Sequence, residues 1–274
     1  MAFWVVFGLV SPSQATAQTP QAEHSINDCY IVVVDPGFKS CNYQPTLAKP
    51  NYRVALIGDS HLRGLYPAII QLAKKFNWSL TTVSKSACPW VSSKLFPVGL
   101  ERGYCKDWNA SAEAFLAGTR HFDLIVNSQS SFVTHSFDNI GKGFASAVKS
   151  QTKRGTWVVV IRDVPKGIKD PQVCLADAAK VASGGCDNSR LDALSVGDPL
   201  PAAVKGWPQV SRIDLTNAFC SATKCAAVVA GKAVYKDPGH ITPETAMRLI
   251  DNIARGIPAK FKKLKIQTSV AVAE

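Results

Sequence analysis

Short apolar runs alternate with amphipathic segments along residues 54–161, and this alternation constrains the fold more than any other feature. The apolar runs predict strands at 54–57, 80–83, 124–126 and 157–161, with a further one at 213–215. Apolar residues at helical spacing predict helices at 62–76, 110–117 and 138–153, and a last helix that Thr242 caps ahead of Pro243. Strands that alternate with helices form a parallel sheet covered on both faces, so we expect an α/β fold.

The sequence divides the chain into four predicted parts, of which one is the domain that contains the sheet. We expect a signal-like or residual transmembrane segment at 1–17, an irregular lead-in at 18–50 that contains one strand at 30–34, a domain at 51–258 and a basic tail at 259–274. The first segment has an apolar stretch and a small-x-small site but no basic residues before them. It is therefore either a signal peptide or the end of a membrane helix from a longer parent chain. Residues 163–209 lack a long periodic run and predict an ordered insertion.

Eight cysteines, none of them in a CxxC pair, favour disulfides in an oxidising compartment over a zinc site. Pairing in sequence order is the simplest hypothesis, because each pair then closes one local loop. The alternative is eight buried free thiols in a cytosolic protein. We expect a periplasmic or secreted protein with the pairs Cys29–Cys41, Cys88–Cys105, Cys174–Cys186 and Cys220–Cys225.

The formal net charge of +11 favours anionic partners, such as acidic glycans or lipid head groups. A basic surface that serves only solubility explains the same number. No zinc-finger or aromatic RNA-binding motif is present, so we expect no nucleic-acid partner.

The sequence Gly58-Asp59-Ser60-His61 follows the first strand of the predicted domain and precedes a helix. Ligands bind beyond the carboxyl ends of strands in open parallel sheets, which is where this sequence lies. Gly58 permits a sharp turn, and the turn can present the Ser60 hydroxyl as a nucleophile. The alternative is an ordinary helix start, where Asp or Ser caps the first turn.

A second motif, Asp237-Pro238-Gly239-His240, lies just before the last predicted helix. An Asp three residues ahead of a His in a tight turn can orient the imidazole and leave its other nitrogen free to serve as a base. An Asp-Pro-Gly turn with an incidental surface histidine would have the same sequence.

Together the two motifs resemble the SGNH/GDSL hydrolase superfamily over residues 52–256. The resemblance is closest to the SGNH domains attached to membrane acyltransferases of family three, which O-acetylate bacterial surface polysaccharides. The supporting sequences also include SACP at 86–89 and YKDPGHIT at 235–242, with Cys220 and Cys225. The resemblance implies a three-layer, flavodoxin-like sandwich, with Ser60 as nucleophile, His240 as base and Asp237 as the acid that orients it.

The superfamily also supplies oxyanion donors after its second and third strands, and here this chain departs from the pattern. No glycine follows the second predicted strand, and Asn127 and Gln129 are the side-chain candidates after the third. The Ser60 amide is the other candidate donor. We place Gly58, Asp59 and His61 with the oxyanion and substrate-binding residues; Asp59 is expected to brace the turn, and His61 to pack or contact substrate.

These features predict a serine-dependent enzyme that transfers O-acyl groups, with acetyl the expected group, on cell-surface or extracellular glycans. The alternatives are a free-standing secreted esterase or lipase of GDSL type, and a glycan-binding module with a degenerate site. We expect no cofactor and no metal. The expected partners are an acylated glycan and a membrane acyltransferase domain that donates the acyl group.

Overall fold

The computed structural model describes residues 29, 31–32, 34–43, 49–97, 104–118, 121–135, 137 and 139–263. The strands are β1 (Cys41–Tyr43), β2 (Tyr52–Gly58), β3 (Trp78–Ser84), β4 (Leu124–Ser128), β5 (Trp157–Ile161), β6 (Asn188–Ser189), β7 (Val210–Ile213), β8 (Lys224–Cys225), β9 (Val228–Val229) and β10 (Lys232–Ala233). The helices are α1 (Ser60–Gly64), α2 (Tyr66–Phe76), α3 (Cys105–Gly118), α4 (Ser131–Thr134), α5 (Ile140–Thr152), α6 (Pro171–Leu175), α7 (Ala178–Ala182), α8 (Arg190–Ala193), α9 (Leu200–Ala203), α10 (Thr216–Phe219), α11 (Pro243–Arg248) and α12 (Ile250–Gly256). Two 3₁₀ turns lie at Ser93–Leu95 and Ala259–Lys262.

Six strands form the central sheet in the order β1-β3-β2-β4-β5-β7. All neighbours are parallel except β1, which pairs with β3 in the antiparallel sense at the edge. Strands β2, β3 and β4 follow one another in the chain, but in the sheet β2 lies between β3 and β4. The connections after β2 and after β3 therefore run in opposite directions across the sheet. Such a reversal opens a crevice at the carboxyl ends of the strands.

Alternating side chains of the buried strands divide the core into two layers, one on each face of the sheet. Val54 and Leu56 of β2 pack with the layer under α2, α11 and α12. Ala55 and Ile57 face the opposite layer, which includes residues of α3 and α5. Both layers are closed by helices, so the predicted three-layer α/β fold is confirmed.

Two predicted helices are each divided in the structure. The helix predicted at 62–76 ends at Gly64 and restarts at Tyr66, with Pro67 in the first turn of α2, where its missing amide costs no hydrogen bond. The last helix begins as predicted, with the Thr242 hydroxyl accepting from the Thr245 amide, but it is divided at Leu249.

The sheet's outer strands also differ from the sequence prediction. Strand β7 ends at Ile213, because Asp214 turns the chain by accepting a hydrogen bond from the Thr216 amide. It therefore begins three residues before the strand predicted at 213–215 and ends two residues before the end of that predicted strand. Of the strand predicted at 30–34, Ile31 makes one bridge to Lys85, and Tyr30 and Val33 lie outside the described residues. The edge strand β1 was not predicted.

All eight cysteines are paired in sequence order, as Cys29–Cys41, Cys88–Cys105, Cys174–Cys186 and Cys220–Cys225. The Cys174–Cys186 bond lies in the insertion, which contains four short helices and β6. Within the described parts of the chain, no helix has both the length and the apolar character needed to cross a bilayer.

The beginning of the predicted basic tail packs against the domain. Phe261 is buried, and its carbonyl accepts a hydrogen bond from the Trp78 indole at 2.9 Å. The Lys260 ammonium lies 3.8 Å from the centre of the Trp157 ring. Residues 264–274 of the predicted tail, and the whole segment predicted at 1–17, lie outside the described residues.

Candidate active site

Strand β2 delivers Ser60 to the carboxyl edge of the sheet through a turn that only glycine fits. A Cβ on Gly58 would lie 2.1 Å from the Ser128 carbonyl oxygen of the neighbouring strand β4, far inside contact distance. The chain leaves the sheet after Gly58, and Ser60 is the first residue of α1. Close packing of β2 against β4 therefore fixes where the serine lies.

Asp59 braces this turn from beneath. Its carboxylate is fully buried and accepts hydrogen bonds from the main-chain amides of His61 and Ser130, both at 2.9 Å. Burial raises the pKa of Asp59, although the two amide bonds and the nearby His61 oppose that effect. The contact ties the loop after β2 to the loop after β4, in agreement with the bracing role expected of Asp59.

Ser60, His240 and Asp237 form a connected line of hydrogen bonds. The Ser60 Oγ lies 2.8 Å from His240 Nε2, although the two residues are 180 positions apart. His240 Nδ1 lies 2.8 Å from Asp237 Oδ1 and 3.0 Å from Oδ2. This is the geometry in which a carboxylate orients an imidazole and the imidazole can take a proton from a hydroxyl.

The turn itself holds Asp237 in place. Its Oδ1 also accepts hydrogen bonds from the main-chain amides of Gly239, at 3.0 Å, and of His240, at 2.9 Å. Partial burial raises the pKa of Asp237, but hydrogen bonds from Gly239 and His240 outweigh it and hold that pKa below its ordinary value. An ionised carboxylate is therefore present beside the imidazole at neutral pH.

A second histidine–carboxylate pair lies beside the first. His61 Nδ1 donates to Asp163 Oδ1 at 2.6 Å, and the His61 and His240 rings are 4.9 Å apart. The other oxygen of Asp163 accepts from the amide and the hydroxyl of Ser131, at 2.7 and 2.8 Å. Sequence reasoning missed Asp163, although its place two residues after the predicted strand 157–161 puts it at the same edge of the sheet.

His61 carries a positive charge in this setting. Burial alone would lower its pKa, but the charge and hydrogen bond of Asp163, with the charges of Asp59 and Asp237, raise that pKa to about 9. At neutral pH His61 is an imidazolium, so it is a donor on both ring nitrogens and is unsuited to act as a base.

The two side chains named as oxyanion candidates both form hydrogen bonds with main chain. Asn127 lies inside β4, fully buried, and its side-chain amide donates to the Ile57 carbonyl at 2.7 Å. Gln129 is buried as well, and its side-chain oxygen accepts the Trp90 amide at 2.6 Å. Both therefore join neighbouring segments of main chain. The Asn127 nitrogen is occupied in doing so, whereas the Gln129 side-chain nitrogen is buried with no hydrogen-bond partner among the described residues, so Gln129 stays a candidate donor beside the Ser60 amide.

Two pockets open at this edge of the sheet. The one that contains Ser60 and His240 has a volume of about 400 Å³ and is also lined by Arg63, Ser86 and Lys236. The other has a volume of about 720 Å³ and lies on the side of His61 and Asp163. The candidate nucleophile therefore opens on the smaller pocket, with a larger cleft next to it.

No group of three or more His, Cys, Asp or Glu side chains suited to a metal ion occurs in the described ranges. The chemistry that the site can perform with its own groups is proton transfer and nucleophilic attack by an activated hydroxyl.

Comparison with known proteins places this site in context. Residues 27–255 match a family model described as "SGNH domain (fused to AT3 domains)". The chain is similar to the periplasmic domain of a lipopolysaccharide acetyltransferase from Salmonella ser. Paratyphi A, with 13% identity over 84% of this chain and 90% of that one, and a TM-score of 0.58.

More distant similarities are to a putative acylhydrolase from Bacteroides fragilis and to the acetyl xylan esterase AlAXEase. The first has 15% identity over 79% of this chain and 92% of that one, and a TM-score of 0.45. The second has 10% identity over 75% of this chain and 100% of that one, and a TM-score of 0.45. No curated protein sequence matches the chain.

Proposed function

This chain belongs to the family of SGNH domains found fused to AT3 domains, and from that premise we propose that it transfers acetyl groups on glycans through Ser60. Membership makes it an enzyme that acts on ester bonds, by hydrolysis or by acyl transfer. The proposal adds the acetyl group, the glycan and the residues. It depends above all on one observation, the 2.8 Å contact between Ser60 Oγ and His240 Nε2.

In the proposed reaction His240 removes the Ser60 proton as Oγ attacks the acyl carbonyl, and Asp237 stabilises the imidazolium that forms. The tetrahedral oxyanion is stabilised by the Ser60 amide. His240 then protonates the leaving alcohol, and an acyl-serine ester is left. In the second half-reaction His240 deprotonates a sugar hydroxyl or a water molecule, which attacks the carbonyl of the acyl-serine. His240 then returns the proton to the Ser60 oxygen as the new ester or acid departs.

The family supports a proposal for the acyl donor, and the disulfides support one for the compartment. The family's fusion to AT3 domains supports a membrane acyltransferase as the partner that supplies the acyl group. Four disulfides fit an oxidising compartment, and we propose the periplasm or the cell exterior.

Covalent labelling tests the assignment of the nucleophile. A serine-directed fluorophosphonate should add one adduct to the protein, and peptide mapping should locate it on Ser60 rather than on Ser86, which lines the same pocket. Ser60→Ala and His240→Ala should each abolish labelling and lower acetyl-ester turnover by about 10³-fold or more, with little further loss in the double variant. The surface variant Ser183→Ala is the matched control. Labelling of Ser86, or full turnover by Ser60→Ala, would refute the proposal.

A free-standing GDSL esterase would share these residues, because the same acyl-enzyme can react with water. The two are separated by the products formed from p-nitrophenyl acetate in the presence of a sugar. An acetylated sugar supports the transferase, whereas acetate alone supports the esterase. A glycan-binding module with a degenerate site would bind the sugar and leave Ser60 unlabelled.

A further inference from the structure

The larger cleft begins where the site pocket ends. His240 lines the 400 Å³ pocket, whereas the adjoining Gly239 and Pro238 line the 720 Å³ cleft. The opposite walls of the cleft come from the segment after β5 and from residues 188–198 of the insertion. An ester has an acyl half and an alcohol half, and the reacting carbonyl lies between them. Two pockets that meet at one catalytic turn provide a place for each half.

His61 gives the cleft a fixed hydrogen-bond donor at this boundary. Its Nδ1 is held by Asp163, which the amide and hydroxyl of Ser131 hold in turn, so rotation of the ring would break its hydrogen bond to an anchored carboxylate. Its Nε2 has no hydrogen-bond partner within the part of the chain that the structure describes. A Cβ on Gly239 would lie 3.3 Å from that nitrogen, so the glycine leaves space beside the donor.

Phe132 gives the cleft an exposed aromatic face. Its side chain lines the cleft with 64% of its surface exposed, and the Lys166 ammonium lies 5.9 Å from the ring centre. The neighbouring Ser131 is anchored to Asp163, so the helix that carries the ring is fixed to the same pair that holds His61. A flat apolar face beside hydrogen-bonding groups complements a sugar ring, which has an apolar face of C–H groups and a rim of hydroxyls.

Charges in the cleft nearly cancel, and this bears on which sugar it suits. Arg162 pairs with Asp214 at 3.0 Å, and the Asp163 carboxylate pairs with the His61 imidazolium. The remaining charged groups of the lining are two lysines and two aspartates, Lys166, Lys169, Asp192 and Asp198. The excess positive charge of the whole chain is therefore not concentrated here, and a neutral sugar fits the lining better than an acidic one.

We propose that this cleft is the subsite for a neutral sugar, the alcohol half of the ester, with Phe132 as the stacking face and His61 Nε2 as the donor to a hydroxyl next to the reacting one. The proposal rests on the function proposed above and names the substrate class and the place where it binds.

Product partition is the first test. With p-nitrophenyl acetate as donor and a methyl hexopyranoside as acceptor, the ratio of acetylated sugar to free acetate is measured for each variant. Phe132→Ala should lower this ratio about tenfold, and Phe132→Trp should restore it, because the indole retains a stacking face. Leu191→Ala is the matched control, since it removes an apolar side chain, 82% exposed, that is not part of the cleft lining. An equal ratio in Phe132→Ala and wild type would overturn the proposal.

Binding to a protein that cannot turn over is the second test, and it separates this proposal from the function on which it rests. Saturation-transfer NMR of the methyl hexopyranoside is recorded on Ser60→Ala, alone and combined with Phe132→Ala or His61→Gln. Each added substitution should weaken binding about tenfold or more. Unchanged binding overturns the subsite even if Ser60 is the nucleophile. Failure of Ser60 to label refutes the proposed function, while sugar binding that depends on Phe132 and His61 still supports the subsite.

An acyl chain is the competing occupant. If p-nitrophenyl octanoate is turned over with a higher kcat/KM than the acetate, and Phe132→Ala abolishes that preference, the cleft holds the acyl half and the proposal is wrong. A preference for acetate that is the same in wild type and Phe132→Ala supports the sugar subsite.

Discussion

The ion pair between His61 and Asp163 should make the stability of this protein depend on pH over an unusual range. The pKa of His61 is raised to about 9 in the fold, against an ordinary value of 6.5. A group whose pKa is raised by folding stabilises the native state below its unfolded pKa, and the contribution is lost as pH rises through the folded pKa. The pair should therefore stabilise fully below about pH 6.5 and lose its contribution by about pH 9.5.

The size of the effect follows from the two pKa values, which together set an upper limit of about 3 kcal/mol. Little of it is lost to solvent screening, because the side chains of His61 and Asp163 are only 10% and 4% exposed. Asp163→Asn removes the charge and places an amide among four hydrogen-bond donors, from His61, Ser131 and Val164. At pH 6 that variant should lose about 3 to 5 kcal/mol of unfolding free energy, as expected for half of a buried pair.

Urea unfolding of wild type and Asp163→Asn at pH 6, 7.5 and 9.5 measures the effect, with the disulfides intact. The difference in unfolding free energy between the two proteins should shrink by about 3 kcal/mol from pH 6 to 9.5, because only wild type loses the pair. Subtracting the unfolding free energy of the variant from that of wild type removes the contribution of groups that titrate alike in both proteins. His61→Gln should likewise remove this pH dependence of the unfolding free energy, and it replaces Asp163→Asn in the experiment if that variant does not fold.

The exposed pair between Arg162 and Asp214 provides a matched control. Its side chains are 28% and 56% exposed, so Asp214→Asn should cost about 1 kcal/mol or less. That cost should not change between pH 6 and 9.5, because hydrogen bonds from Thr216 and Arg162 outweigh partial burial and lower the pKa of Asp214. The free-energy difference between wild type and Asp163→Asn could prove as independent of pH as that of this control. In that case the pKa of His61 is not raised by its pairing with Asp163, and the reasoning is refuted.

Three further predictions concern the rest of the site and its frame. Asp237→Asn should lower acetyl-ester turnover by about 10²- to 10⁴-fold and move the rising limb of activity to lower pH, since the imidazolium loses its stabilising carboxylate; an unchanged pH–rate profile would reduce Asp237 to a turn residue. Gly58→Ala should cost at least about 3 kcal/mol or prevent folding, because its Cβ meets the Ser128 carbonyl. Gly118→Ala should be neutral or better in the same urea titration, because no atom of the described residues lies within 4 Å of the added Cβ. Replacing both Cys88 and Cys105, which are 17 residues apart, should cost about 3 kcal/mol by thermal or urea unfolding, and a loss below about 1 kcal/mol would contradict the chain-entropy argument.

Local patterns in the sequence determined the fold class, the two turns of the site and the cysteine pairs. Apolar runs alternating with amphipathic segments predict strands and helices that need a parallel sheet with both faces covered, and β5 has the bounds that its apolar run predicts. Gly58 and the Asp-Pro-Gly turn are equally local, because they depend on conformations that few residues permit. The pairing of cysteines in order follows the same logic, since short loops close most easily.

Only the tertiary structure decided how residues far apart in the chain face one another. The sequence places Asp163 after a strand, but it takes the order of β2, β4 and β5 in the sheet to bring that carboxylate to His61 and Ser131. Asn127 was a candidate oxyanion donor from its place in the sequence, yet the neighbouring strand sets its direction, because its side-chain amide donates to the Ile57 carbonyl. The insertion has no periodicity that predicts its path, yet in the folded structure its residues line much of the larger cleft beside the site. Hydrophobic periodicity and turn residues can be read from neighbouring positions in the sequence. The direction of a side chain and the shape of a pocket depend instead on which strand or segment packs alongside in the fold.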